Sequence, residues 1–303
     1  MAPQTLSTVE EYKKLVDSVE VFLLDCDGVI YHGPQVVPGV KEVLKYLRSI
    51  GKRILFVTNN ASKSRRMYKS TFDKLGIEVS ENEIFGSAYA SAVYMSKILQ
   101  FPKDKRVYVI GQAGLEEELD AVGIAHAGGS DPEDRVFIDQ GDYSSVVADP
   151  SIGAVLCGFD AYINYKKYSK AYTYLKDNEG CHFLLTNQDA TFPTNGTTYP
   201  GSGAMSAPLV FASKRTPTII GKPNKIMMDA IIAEHHFDPA KALMVGDNLS
   251  TDIEFGLGSG VRTLLVFGGV TKREQVFGDN ASETVPDFVM ESLGDLAVLA
   301  KEK

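Results

Sequence analysis

The chain has 303 residues, 44% of them hydrophobic and 23% charged, with a formal net charge of −8. This length exceeds the usual single-domain range and favours two domains, while apolar residues spread along the whole chain exclude long disordered stretches. The acidic balance, without a basic stripe, argues against a nonspecific nucleic-acid binder, and no apolar run approaches the ~20 residues of a membrane span.

Three cysteines, Cys26, Cys157 and Cys181, are too few and too widely spaced for a disulfide framework or a zinc site, and fit a reducing compartment. The polar start, residues 1–11, lacks a signal-peptide core, so a cytoplasmic location is expected.

In chain order, Ser7-Thr8-Val9-Glu10-Glu11 offers two overlapping capping-box registers for a helix running to about Asp17. Val21-Phe22-Leu23-Leu24 is a short continuous apolar run, the pattern of a strand buried on both faces. A helix over about 40–50 follows Pro38-Gly39 and stops at Gly51. Arg53 to Thr58 is a second buried strand, and a helix over roughly 63–75 ends at Gly76. This alternation predicts a doubly wound parallel α/β sheet of Rossmann-like type, in which ligands bind beyond the carboxyl ends of the strands.

After a helical stretch at about 87–99, the segment Phe101-Pro102-Lys103-Asp104-Lys105 reads as a linker. A new series follows: strand 107–110, helix 114–122, strand 154–157, helix 165–177 and strand 182–186, then a loop rich in Gly, Pro and Thr over 187–203. The expected organisation is therefore a first domain in two parts, 1–101 and 205–303, with an α/β domain inserted at 102–204. The first sheet is expected to resume with Thr218-Ile219-Ile220, then strands 242–245 and 263–266.

The chemistry concentrates at strand ends. Asp25-Cys26-Asp27-Gly28 sets two carboxylates at i and i+2 just after a buried strand: one can attack phosphorus while its partner handles protons. Gly28 permits a sharp turn or close backbone approach; without a partner motif the run is also a plain polar turn. Thr58-Asn59-Asn60 offers a hydroxyl, amides and free N–H groups for phosphate oxygens, although the same residues make an ordinary N-cap. Lys222, after strand 218–220, can neutralise phosphate and nucleophile. Asp247 and Asp252, in Gly246-Asp247-Asn248-Leu249-Ser250-Thr251-Asp252, complete an oxygen-rich site. Hard oxygen ligands and a phosphate substrate favour Mg²⁺. Taken together, these four signals in order carry more than any one alone.

In this order and placement the residues resemble the four motifs of the haloacid dehalogenase-like superfamily. The insertion resembles the cap of the p-nitrophenylphosphatase, phosphoglycolate phosphatase and pyridoxal phosphatase group. Asp189-Ala190-Thr191-Phe192-Pro193 and Tyr199-Pro200-Gly201-Ser202-Gly203 resemble the cap's return segment in the fungal p-nitrophenylphosphatases. The similarity runs from about Val19 to Leu296. It implies Asp25 as nucleophile and Mg²⁺ ligand, Asp27 as general acid/base lending its backbone carbonyl to the metal, and Asp247 as the third protein contact to the metal. Thr58, Asn59, Asn60 and Lys222 would bind the phosphoryl group, Asp252 would orient Lys222 or a metal-bound water, and Phe192 would touch the leaving group. The implied substrate is a small phosphorylated metabolite, and a homodimer through the cap is implied as well.

Other readings are weaker. A phosphomutase of the same superfamily would use the same aspartates but return the phosphoryl group to a bound sugar. A phospho-accepting signalling module is much shorter and pairs adjacent acidic residues. A dehalogenase would leave Asp27 without a task. Cys26 reads first as a small buried residue and only second as a redox switch. Adjacent His235 and His236 point about 100° apart on a helix, too divergent to share a metal. Tyr162, Tyr165, Tyr168, Tyr172 and Tyr174 read as an aromatic helix face, and Glu116-Glu117-Glu118 as a solvated one.

Overall fold

The computed structural model describes residues 2–138, 141–194, 197–279 and 281–301. The chain divides into two compact units. One comprises Met1–Thr58, Lys69–Phe85 and Lys222–Lys303; the other comprises Asn59–Tyr68 and Gly86–Gly221.

The first unit is built on a seven-stranded sheet in the order Gln4–Thr5, Phe288–Met290, Arg262–Val266, Ala242–Gly246, Val21–Leu24, Arg53–Thr58 and Ile84–Gly86. Its two central strands, Val21–Leu24 and Ala242–Gly246, are buried along their whole length, as continuous apolar runs require. Helix Val9–Asp17 uses the second of the two capping registers: Thr8 Oγ1 accepts from Glu11 N–H at 3.3 Å and Glu11 Oε2 accepts from Thr8 N–H at 2.9 Å. Helix Val40–Ser49 buries Val40, Val43, Leu44 and Leu47, the i, i+3, i+4, i+7 stripe of an amphipathic helix. Helix Lys225–His235 ends where His236 turns left-handed at φ 49°.

The second unit carries a five-stranded sheet in the order Thr218–Ile219, His182–Leu185, Ile152–Cys157, Arg106–Ile110 and His126–Gly128, with parallel pairings. This corrects two expectations. Thr218–Ile219 does not resume the first sheet: Leu184 is in register with Thr218 and Leu185 with Ile219. The unit also extends beyond 102–204, because Ala88, Ala92 and Met95 pack in one core with Val107, Val109, Ala154 and Leu156. A two-residue strand carries its burial in its sequence but not its partner, and the proline at 102 marked a bend rather than a border.

Residues 187–203 are not all loop. Thr191–Thr194 and Thr197–Pro200 pair antiparallel, with Phe192 opposite Tyr199. Residues 195 and 196, between these two strands in the chain, lie outside those described. The reading of Glu116-Glu117-Glu118 as a solvated face is also overturned, since Glu116 and Glu118 are buried. Glu118 accepts from Arg65 N–H and pairs with its guanidinium at 3.0 Å, and Ser130 N–H donates to Glu116 at 3.1 Å. Of the tyrosines around helix Tyr165–Asp177, Tyr174 is buried edge-on against Tyr108 and Tyr168 donates to Met205 O, while Tyr162, Tyr165 and Tyr172 are exposed. Among the described residues no helix is long and apolar enough to cross a membrane.

Candidate active site

Val21–Leu24 and Ala242–Gly246 are neighbours, with Val245 in register with Leu24, and Asp25 N–H donates to Val245 O at 2.9 Å. The chain leaves them in opposite directions, toward Arg53–Thr58 on one side and Arg262–Val266 on the other. Such a switch point opens a crevice at the carboxyl ends of the strands. Asp25 and Asp247, the first residues past the two strands, sit there. A wide π-type turn at Leu249–Ile253, marked by Ile253 N–H reaching Asn248 O at 3.2 Å, brings Asp252 back to the same place.

Asp25, Asp247 and Asp252 each offer one carboxylate oxygen, and these three atoms lie within 4.8 Å of one another. Lys222 Nζ, buried, donates to Asp25 Oδ1 at 2.6 Å, to Asp252 Oδ1 at 2.7 Å and to Val57 O at 3.0 Å. Asp247 Oδ2 accepts from Val270 N–H at 2.7 Å, and Thr271 N–H donates to Asp247 O at 2.9 Å. Burial pushes the Asp25 carboxyl well above the usual range; Lys222 opposes this, while Asp252 and Asp247 add to it. Asp247 is pushed up to about 7, first by burial and then by Asp252. Burial also works against the Lys222 charge, but Asp25 and Asp252 outweigh it and hold the ammonium above its ordinary range. Three carboxylates around one ammonium leave excess negative charge, and their hard oxygens suit a divalent cation.

Asp27 is exposed, and its carboxylate lies outside this group of three. It sits in a tight turn in which Gly28 N–H donates to Tyr31 O at 2.9 Å and Ile30 N–H to Cys26 O at 2.9 Å. Gly28 has φ 87°, and a Cβ there would fall 2.5 Å from Asp247 Oδ2. Cys26 is fully buried; burial, then Asp25 and Asp27, push its thiol well up.

Thr58 closes strand Arg53–Thr58 and is buried next to Val57, whose carbonyl receives Lys222. The next two residues belong to the second unit. Asn59 is buried, and its Nδ2 donates to Asp189. Asn60 is exposed, with Oδ1 accepting from Ser62 N–H at 2.8 Å. Phe192 is half-buried in the hairpin, stacked edge-on against Phe159 at 5.2 Å and beside Tyr199 at 6.3 Å. Sequence reasoning passed over Val270 and Thr271, which hold Asp247. Their signal was present: Gly268-Gly269 follows strand Arg262–Val266 at the same sheet edge.

A pattern described as haloacid dehalogenase-like hydrolase matches residues 22–125, and a second, HAD-hydrolase-like pattern matches 219–296. A 4-nitrophenylphosphatase of Schizosaccharomyces pombe is 50% identical over 296 residues, covering 97% of this chain and 99% of the relative. The chain belongs to the haloacid dehalogenase-like hydrolases.

Phosphoglycolate phosphatase 2 of Arabidopsis thaliana is 42% identical to this hydrolase over 302 residues, covering 99% of each chain. Among solved structures, a glycerol phosphate phosphatase from Mycobacterium tuberculosis in complex with magnesium superposes with a TM-score of 0.75 at 27% identity, covering 93% of this chain and 77% of that one. So close a likeness to phosphatases along nearly the whole length makes this hydrolase a phosphoric monoester hydrolase.

Proposed function

We propose that this hydrolase is a Mg²⁺-dependent phosphatase of small phosphate monoesters, p-nitrophenyl phosphate and phosphoglycolate-like phospho-acids among them, working through a phospho-aspartate on Asp25. The observation that carries the reading is the gathering of Asp25, Asp247, Asp252 and Lys222 at one sheet edge, where three carboxylates face a single ammonium.

An oxygen of Asp25 attacks phosphorus and the ester P–O bond breaks. Asp27, exposed two residues on, gives a proton to the departing alkoxide. Asp27 then takes a proton from water as that water attacks the phosphorus of the phospho-aspartate. Inorganic phosphate leaves and Asp25 is regenerated. Lys222 holds Asp25 in place and balances phosphoryl charge. Thr58 and the peptide groups of Asn59 and Asn60 receive phosphoryl oxygens. Asp25, Asp247 and the Asp27 carbonyl would hold Mg²⁺, which when bound offsets repulsion between carboxylate and phosphate.

The second unit serves as the cap, Phe192 contacts the leaving group, and exposed Tyr162 and Tyr165 contribute to a homodimer through that cap.

Phosphate release from p-nitrophenyl phosphate, with Mg²⁺ and with chelator, tests the reading in the wild type and a folded Asp25→Asn variant. Turnover that needs the metal and disappears in the variant is expected. No turnover by folded, metal-supplied wild type would redirect the assignment to a phosphomutase or to a phosphatase that rejects this substrate.

A further inference from the structure

Asn59 is gripped from three sides within the second unit. Its Nδ2 donates to both carboxylate oxygens of Asp189, at 3.1 and 3.2 Å. Its backbone carbonyl accepts from Asn187 Nδ2 at 2.7 Å and from Ser87 Oγ. Its Oδ1 packs so closely on Gly221 that a Cβ there would fall 2.6 Å away. Asn187 and Asp189 are themselves locked together, Asp189 N–H donating to Asn187 Oδ1 at 3.0 Å, and Gly221 N–H donates to Thr186 O at 2.8 Å. The Asn59 side chain is thus spent on internal bonds, with its amide hydrogens aimed at a carboxylate.

The location gives these bonds a consequence. Of the places where the chain passes between its two units, one follows Thr58 and another follows Gly221, the others following Tyr68 and Phe85. Asn59 and Gly221 are the second-unit residues at the first two of these crossings. Thr58 and Lys222, one residue further on, are the groups assigned above to the phosphoryl group and to Asp25. Lys222 Nζ also reaches Val57 O at 3.0 Å, so the two crossing segments are tied on the first-unit side as well.

We propose that Asp189 is a positioning residue for phosphoryl binding: by holding the Asn59 amide against Gly221 it fixes the peptides that carry Thr58 and Lys222. On this account the Asn59 side chain is a strut, and the motif presents its hydroxyl and backbone N–H groups, not the Asn59 amide, to phosphate. The inference rests on the phosphatase reading above and refines it.

A hydrogen-bond exchange tests it. Asn59→Asp places a second carboxylate against Asp189 and should raise KM for p-nitrophenyl phosphate and the Kd for inorganic phosphate by about 10- to 100-fold, the scale of a misplaced binding group. Adding Asp189→Asn to that variant rebuilds the bond with donor and acceptor reversed, and should recover most of both losses. Asp189→Asn alone should lie between these and wild type, with melting temperatures close to wild type throughout. If the double variant is no better than Asn59→Asp, or Asp189→Asn is indistinguishable from wild type in both constants, the strut does not exist. Should Asn59→Asp fail to fold, the single Asp189→Asn comparison still decides. If wild type binds phosphate without turning over any monoester, the phosphatase reading falls while the phosphate Kd series still judges Asp189.

Discussion

Lys222 Nζ lies 2.7 Å from Asp252 Oδ1, with both groups almost wholly removed from water. The same nitrogen lies 2.6 Å from Asp25 Oδ1, so one ammonium balances Asp25, the proposed nucleophile, and Asp252 together. Removing one partner of a buried ion pair strands the other charge, at a cost of about 3–5 kcal/mol. Lys222→Met is therefore expected to lower unfolding free energy by about that amount in urea titrations. It should also reduce kcat by at least ~10²-fold, as loss of a preorganised charge at the reacting group does. Near wild-type turnover in a folded Lys222→Met protein would remove Lys222 from the chemistry.

Gly28 and Gly33 both have positive φ, at 87° and 56°, yet only Gly28 is crowded. A methyl group there meets the Asp247 carboxylate at 2.5 Å, whereas Gly33 has nothing within 4 Å. Gly33→Ala is expected to cost about 1 kcal/mol of backbone strain and leave activity alone. Gly28→Ala should cost activity as well, because it displaces Asp247. Comparing kcat/KM and melting temperature for the pair separates strain from site damage; equal activity in both variants would show that Asp247 tolerates the shift.

Much of this was legible from sequence for a local reason. Val21 to Leu24 and Ala242 to Val245 are unbroken apolar runs, and the residues that follow them must emerge at a strand end. What escaped depended on distant partners. Nothing near Glu116 and Glu118 announces that Arg65 and the Ser130 N–H will take their charges inside. Thr218-Ile219 is too short to declare which sheet it joins, and nothing near Asn59 announces that its amide will donate to Asp189, 130 residues on.

The cluster of Asp25, Asp247 and Asp252 carries repulsion that a cation relieves. Millimolar Mg²⁺ is expected to raise the melting temperature of wild type, and chelator to reverse it; saturation at 100 times Kd corresponds to about 2.7 kcal/mol. Asp247→Asn should abolish most of the Mg²⁺-dependent rise. A full rise in that variant would place the cation elsewhere.

All three thiols are buried and none pairs as a disulfide. Burial, opposed by Arg215, pushes Cys181 up to about 11 from an ordinary 9.0, and burial drives Cys26 and Cys157 upward too. A raised thiol loses its reactive thiolate, about a hundredfold for a two-unit rise. Iodoacetamide at pH 8 is expected to label the native protein far more slowly than the protein in denaturant, and brief peroxide exposure should leave turnover intact. Rapid labelling of Cys26 in the native state, or loss of activity restored by thiol reductant, would revive a redox role for it.

Phe192 packs on Phe159 and Tyr199 from a hairpin whose other strand is exposed, so its ring is half-buried with an apolar edge left over. An apolar surface discriminates among leaving groups by the area it covers, about 1–3 kcal/mol for a substantial contact. Phe192→Ala is therefore expected to lower kcat/KM for p-nitrophenyl phosphate more than for phosphoglycolate, by roughly 10-fold in the ratio. On the proposed mechanism the chemical step depends on Asp25 and Lys222, so the ratio, and not either rate alone, carries the information. A ratio unchanged across several monoesters would mean that Phe192 only packs the hairpin.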